Sequence, residues 1–230
     1  MRAITHIIYD CDGLLLDTER LNRQVNQTIA SRYGQVFTEA VHRQMIGRTA
    51  ADSARIMIDR LQLPLTCGAY LSQRYELITE LYPTAEPLPG AKRLTQHFAN
   101  HGIPQAIATS SIRQRFSQKI VRHQSWMELF QCIVTGDDPA IHKGKPAPDI
   151  FLVAAHRLGA LPENCLVFED SPAGVTAAQQ AGMTVVAVPA NDLTLFQTAD
   201  DVVESLLAFQ PEHWQLPPIS PHSKAHRAQQ

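Results

Sequence analysis

Hydrophobic and polar positions divide this chain into three stretches with different periods. The first is the short run Ile4-Thr5-His6-Ile7-Ile8-Tyr9, rich in β-branched residues and closed by Gly13, which predicts a buried strand. From Thr18 to Tyr82 the period is helical and no strand is evident. Asp17 or Thr18 can cap a helix carrying Leu21, Val25 and Ile29 at four-residue spacing. A second helix fits Ala50–Leu61, with Ala50, Ala54, Met57, Ile58 and Leu61 on one face, and a third fits 71–82 through Leu71, Tyr75, Ile78 and Tyr82. Pro83, Pro87, Pro89 and Gly90 then crowd a segment with the composition of a domain crossing.

Beyond that crossing, helices and short apolar strands alternate. Helices are expected over 91–101, around 113–123, from the Gly144-Lys145-Pro146-Ala147-Pro148-Asp149 segment to Gly159, and from Pro172 to Gly182. Strands are expected over 105–108, 132–135, 165–168 and 184–188, with a short one at 201–203. This alternation implies an α/β fold, a doubly wound parallel sheet with a Rossmann-like core and helices on both faces. The helical block falls between the first strand and the rest, so it is read as an inserted all-helical cap domain. The expected division is 1–16 and 84–230 for the α/β core and 17–83 for the cap. The Pro- and His-rich tail from about Gln210 is expected to be loosely ordered at its end, and there is no internal repeat.

Composition narrows the partners. With 230 residues, 44% hydrophobic and 18% charged, the chain can form one sizeable core, or a core with a small second domain. A net charge of −2 points to neither nucleic acid nor an anionic membrane surface. No apolar stretch approaches the roughly 20 residues that span a bilayer, and no targeting segment is visible. The four cysteines are scattered without a CxxC, as in a reduced, cytoplasmic protein with free thiols. The histidines lack HxH or HExxH spacing, which argues against zinc.

The candidate chemistry sits at strand ends: Asp10 and Asp12, Thr109 and Ser110, Lys145 on a loop, then Glu169 and Asp170. In a parallel sheet the carboxyl ends lie along one edge, where such folds bind ligands. Residues two apart on a strand face the same way, so Asp10 and Asp12 repel unless a cation or a shared proton compensates. Carboxylates without His or Cys partners suit a hard divalent ion, Mg²⁺. A lysine and a hydroxyl suit the non-bridging oxygens of a transferring phosphoryl group. One carboxylate can then attack phosphorus while a second moves the proton.

Asp10-Cys11-Asp12-Gly13, Thr109, Lys145 in Gly-Lys-Pro-Ala-Pro-Asp, and Glu169-Asp170 resemble the four motifs of the haloacid dehalogenase superfamily. Nearly the whole chain is similar to its β-phosphoglucomutase-like phosphatases with a helical cap, and within them to the group of pseudouridine-5′- and glycerol-3-phosphatases. The segments 10–20, 135–139, 144–151, 165–188 and 205–218 carry that likeness. The resemblance implies an Mg²⁺-dependent phosphatase of small phosphate monoesters, acting through an aspartyl-phosphate. It implies Asp10 as nucleophile, Asp12 as general acid/base, and Thr109 and Lys145 on the phosphoryl oxygens, with a backbone N–H of Ser110 added. Asp10 and Asp170 would ligate the metal by side chain and Asp12 by its carbonyl. Glu169 would support those ligands or the Lys145 charge. Arg48, Glu19 and Arg20 would border the substrate, a small molecule such as pseudouridine 5′-phosphate, glycerol 3-phosphate or a sugar phosphate. A monomer is expected. Cys11 departs from the larger apolar residue usual at that position and should face the core.

Blander readings apply to single residues. Ser111 is read as a helix cap, Asp137 and Asp138 as a turn or part of the acidic edge, and Ser171 as a better cap than Asp170. A P-loop reading of Gly144-Lys145 fails, since Pro139 and Pro146 occupy required positions. A phosphomutase shares the nucleophile and metal, a haloacid dehalogenase has no need of Asp12, and a phospho-acceptor domain lacks the helical insert.

Overall fold

The computed structural model of the chain describes residues 3–45, 48–189 and 193–219. Its centre is a six-stranded sheet: β1 (His6–Tyr9), β2 (Gln105–Thr109), β3 (Cys132–Thr135), β4 (Cys165–Glu169), β5 (Thr184–Ala187) and β6 (Asp201–Val202). All pairings are parallel and the order is β3-β2-β1-β4-β5-β6. The chain therefore winds outward one way through β2 and β3, then the other way through β4 to β6. The crevice between the two directions opens at the carboxyl ends of β1 and its neighbours, where doubly wound sheets bind ligands.

Alternation along the strands serves two apolar layers. Ile7, Tyr9, Ile107, Leu166, Phe168 and Val186 face one layer, with Leu94 and Phe98 of helix α5 (Ala91–Asn100). Ile8, Ala106, Ala108, Val134, Val167 and Val185 face the other, against α8 (Asp149–Leu158) and α9 (Pro172–Gln180). These central strands are buried on both sides, so they read as continuous apolar runs. Tyr9 and Phe168 are paired in register and stack at 5.3 Å, Phe130 meets Tyr9 edge-on at 5.9 Å, and Phe209 meets Phe168 edge-on at 4.7 Å. Each of Tyr9 and Phe168 immediately precedes a candidate acid, so this aromatic layer fixes the strand ends beneath the site.

Between β1 and α5 come α1 (Thr18–Arg32), α2 (Glu39–Met45), α3 (Ala50–Leu61) and α4 (Cys67–Leu81). Helix α1 buries Leu21, Val25 and Ile29, as its spacing predicts, and Asp17 caps it by accepting from the Arg20 N–H. Helix α3 has the bounds expected. Helix α4 starts earlier than expected, at Cys67, because Thr66 caps it by accepting from the Ala69 N–H. The short α2 has no signal in the sequence reading; only Val41 and His42 are buried there. The chain enters and leaves this block side by side. The Asp17 N–H donates to the Glu86 carbonyl (2.8 Å), and the Leu88 N–H to the Leu15 carbonyl (2.9 Å). The apolar layer on the Tyr9 side continues through Leu14, Leu15 and Leu16 into Val25, Met57 and Tyr70 of the block.

Two further expectations change. The helix expected around 113–123 breaks into α6 (Arg113–Lys119) and α7 (Gln124–Met127), where His123 turns and its Nε2–H donates to the Ala85 carbonyl at 2.8 Å. The helix after Gly144 starts only at Asp149, whose Oδ2 accepts from the His142 and Lys143 N–H groups and folds the preceding residues into a loop. That loop presents Lys145. In the tail from Gln210, Pro211–Trp214 forms a turn and Leu216 is buried; the end expected to be loose lies outside the described residues.

Candidate active site

Asp10 follows the last residue of β1 and is 6% exposed, with its N–H donating to the Phe168 carbonyl at 3.0 Å. Lys145 Nζ lies 2.5 Å from Asp10 Oδ1 and 2.6 Å from Glu169 Oε1, and donates to the Ala108 carbonyl at 3.2 Å. Its ammonium also lies 4.9 Å from the centre of the Phe151 ring. Residues from β1, the loop before α8 and the end of β4 thus meet at one point. Glu169 is fully buried, and its Oε2 accepts from both the N–H and the hydroxyl of Ser171 at 2.9 Å. Ser171 in turn caps α9 by accepting from the Gly174 N–H, so the cap belongs to Ser171 and not to Asp170.

Asp12 occupies a separate environment. Its Oδ2 accepts from Thr109 Oγ1 (3.2 Å), Ser111 Oγ (2.9 Å) and Lys119 Nζ (2.6 Å), and Lys119 reaches Oδ1 as well. Ser111 is therefore not the helix cap that the sequence suggests: Ile112 holds the cap position of α6 and supplies no side-chain bond. The Thr109 hydroxyl is engaged with Asp12 and accepts from the Ser111 N–H at 3.1 Å, while Ser110 is exposed beside it. Cys11 points into the core, 1% exposed.

Lys119 is the site residue that sequence reading missed. A lysine on a short helix reads as solvated, yet it lies three residues after the buried Phe116 and so shares its inward face.

The environments push the acids apart. Burial drives the Asp10 carboxyl up, with Lys145 opposing and Glu169 and Asp12 adding to it, to about 7. Burial likewise raises Asp170 well above the usual carboxylate range, reinforced by Asp10 and Glu169. Burial acts the same way on Asp12, but the Lys119 charge and hydrogen bonds from Lys119, Ser111 and Thr18 outweigh it and hold Asp12 low. Burial disfavours the charged Lys145, and its two carboxylate partners more than reverse that. Asp12 and Lys119 neutralise each other, which leaves Asp10, Glu169 and Asp170 facing the single charge of Lys145.

A divalent cation fits that excess. Asp170 leans over Gly13, where a Cβ would stand 2.1 Å from its Oδ2; Gly13 also adopts φ +85°, open to glycine without strain. Among the described residues no group of three or more His, Cys, Asp or Glu side chains is arranged to hold a metal. Two carboxylates with a carbonyl and waters is instead a donor set suited to Mg²⁺, which keeps much of its hydration.

The remaining candidates have other partners. Glu19, on the first turn of α1, has Oε1 3.4 Å from His42 Nε2 and 4.0 Å from Arg23. Arg20 donates to the Thr84 carbonyl. Arg48 lines a cleft of about 380 Å³ in the helical block with Gln44, Asp52 and Arg55, and its neighbour Gly47 lies outside the described residues. Asp137 accepts from the Arg113 N–H and the Thr135 hydroxyl, and Asp138 pairs with Arg157, so both serve the turn after β3.

The family model for "Haloacid dehalogenase-like hydrolase" matches residues 7–188, and the chain belongs to that family. Within it, the chain is a phosphoric monoester hydrolase. It is 42% identical over 222 residues to "(DL)-glycerol-3-phosphatase 1, mitochondrial" of Arabidopsis thaliana, covering 94% of this chain and 74% of that one. It is 41% identical over 222 residues to the "Probable pseudouridine-5'-phosphatase" of Drosophila melanogaster, covering 94% and 96%. Among solved structures it is similar to the "putative beta-phosphoglucomutase from Thermotoga maritima", with a TM-score of 0.74, 28% identity, and coverage of 87% and 94%.

Proposed function

We propose that the protein hydrolyses small phosphate monoesters with Mg²⁺, by way of a phosphorylated Asp10. The observation that carries this reading is the contrast between its two acids: Asp10 is held by Lys145 at 2.5 Å, and Asp12 by Lys119, Ser111 and Thr109. Acids in environments that separate their proton affinities can divide the nucleophile and proton-transfer roles.

In the first half-reaction an Asp10 oxygen bonds to phosphorus as the ester P–O bond breaks. The departing alkoxide takes the proton of a protonated Asp12, which leaves the carboxylate that Lys119 pairs with. In the second half, water attacks phosphorus, its proton passes to Asp12, and the P–O bond to Asp10 breaks to release phosphate. Lys145 neutralises charge at Asp10 in both halves. Asp10, Asp170 and the Asp12 carbonyl would hold Mg²⁺, with Glu169 supporting Lys145; the ion would offset charge on the phosphoryl oxygens.

Residues 17–83 act as a cap, with 1–16 and 84–230 as the core, and Arg48 and Glu19 on the cap side meet the leaving group. Pseudouridine 5′-phosphate is the first substrate to test and glycerol 3-phosphate the second, on the strength of the relatives' names. The free cysteines, and the lack among the described residues of any helix long and apolar enough to cross a membrane, support a reducing cytoplasmic setting. The test is phosphate release across a panel of nucleotide, polyol and sugar monophosphates with and without Mg²⁺. Release from none of them, or undiminished release after chelation, overturns the reading. Isomerised sugar phosphate without free phosphate supports a mutase instead.

A further inference from the structure

Asp12 is gripped by a residue from outside the four motifs. Lys119 is 1% exposed, and its Nζ lies 2.6 Å from both Asp12 Oδ2 and Ser111 Oγ. Asp12 Oδ2 accepts from three donors, and the ammonium spans to Oδ1, so the carboxylate plane has little freedom to turn. Lys119 cannot withdraw to water either. Its ammonium lies 5.2 Å from the centre of the Tyr82 ring, and Phe116 is buried on the same helical face. A lysine needed only to join α6 to the neighbouring chain crossing could remain at the surface, where its charge is hydrated. Here the charge is buried against one carboxylate two residues beyond Asp10.

We propose that Lys119 is a positioning residue that fixes the Asp12 carboxylate, ion-paired and aimed, for the attack of water on phosphorylated Asp10. The inference rests on the phosphatase reading. In that step the water oxygen bonds to phosphorus, the P–O bond to Asp10 breaks with its electron pair returning to the Asp10 carboxylate, and the water proton passes to Asp12. Ser111 is the strut: it donates to Asp12 and accepts from Lys119.

p-Nitrophenyl phosphate separates this step from the first, because nitrophenolate departs without a proton. With Mg²⁺ in a rapid-quench experiment, Lys119→Met should release about one equivalent of nitrophenol in a fast burst. Steady turnover should then run about 100-fold below wild type, with phosphoenzyme accumulating. Ser111→Ala keeps the ion pair and should show the same split at about 10-fold, which carries the test if Lys119→Met does not fold. Parallel loss of burst and steady rate, with no phosphoenzyme, indicates a merely structural lysine and overturns the proposal, as does wild-type turnover in both variants. A wild-type protein that releases no nitrophenol overturns the phosphatase reading itself, and the inference with it.

Discussion

The backbone of Gly174 runs so close to the Glu169 carboxylate that a Cβ there would stand 1.8 Å from Oε1. Glycine inside a helix ordinarily costs about 1 kcal/mol relative to alanine. At this position the relation inverts, since the added methyl would displace the acid that pairs with Lys145. Gly174→Ala should lower both thermal stability and phosphatase activity, and a variant more stable than wild type would contradict the assignment of this contact.

Lys145 is held between two buried carboxylates, and removing it leaves both unpaired. Breaking a buried ion pair in this way costs about 3–5 kcal/mol. Lys145→Met should lower the urea midpoint accordingly and abolish turnover. Adding Glu169→Gln should restore part of the stability and none of the activity. Additive losses in the double variant would show that the two residues do not interact.

The raised Asp10 carboxyl gives the metal-free protein a particular pH response. Its folded-state pKa of about 7 lies above the ordinary 3.8, so between those values the folded state binds the extra proton. Stability from this group is present at low pH and falls as pH rises from about 4 through about 7. Asp170 is shifted in the same direction by burial and its acidic neighbours. Asp12, held low, works with the opposite sign, contributing stability that is lost as pH falls. Mg²⁺ bound between Asp10 and Asp170 should therefore raise the melting temperature more at pH 7.5 than at pH 5.5. Equal shifts at the two pH values would argue against these carboxylates as its ligands.

Asp10→Asn should abolish turnover while keeping the fold, because the amide cannot form a stable bond to phosphorus and leave as a carboxylate. Retained turnover with the substrates of the wild-type protein would remove Asp10 from the nucleophile's role.

On the proposed reading, Arg48 meets the substrate's leaving group rather than the phosphoryl centre. Arg48→Ala should raise KM by about 10-fold for the best natural substrate with kcat nearly unchanged, the pattern of lost uniform binding. For p-nitrophenyl phosphate, which lacks the polar leaving group, KM should barely move.

Much of the scaffold was legible because its signals are local. The apolar runs of β1, β3 and β4, the capped start of α1, and Pro172 following Ser171 announce their elements within a few residues. The Asp10, Lys145 and Glu169 cluster could be anticipated because a parallel sheet gathers its strand ends on one edge. What sequence concealed depends on distant partners. The break after Lys119 accompanies the reach of His123 to the Ala85 carbonyl, and Ser111 departs from its expected capping role because Asp12 and Lys119 engage it. No local period encodes a meeting between residues 107 positions apart.

The two hydrogen bonds that zip Asp17 to Glu86 and Leu88 to Leu15 make the helical block enter and exit through one doorway. Threading of the sheet is thereby indifferent to what is hung outside. A different helical unit with adjacent ends could be seated between the same two posts while β1, Asp10 and the strand order stayed as they are. The doorway is thus a natural graft point for new substrate selectivity, and any transplant should preserve the apolar wedge of Leu14, Leu15 and Leu16 that seals it.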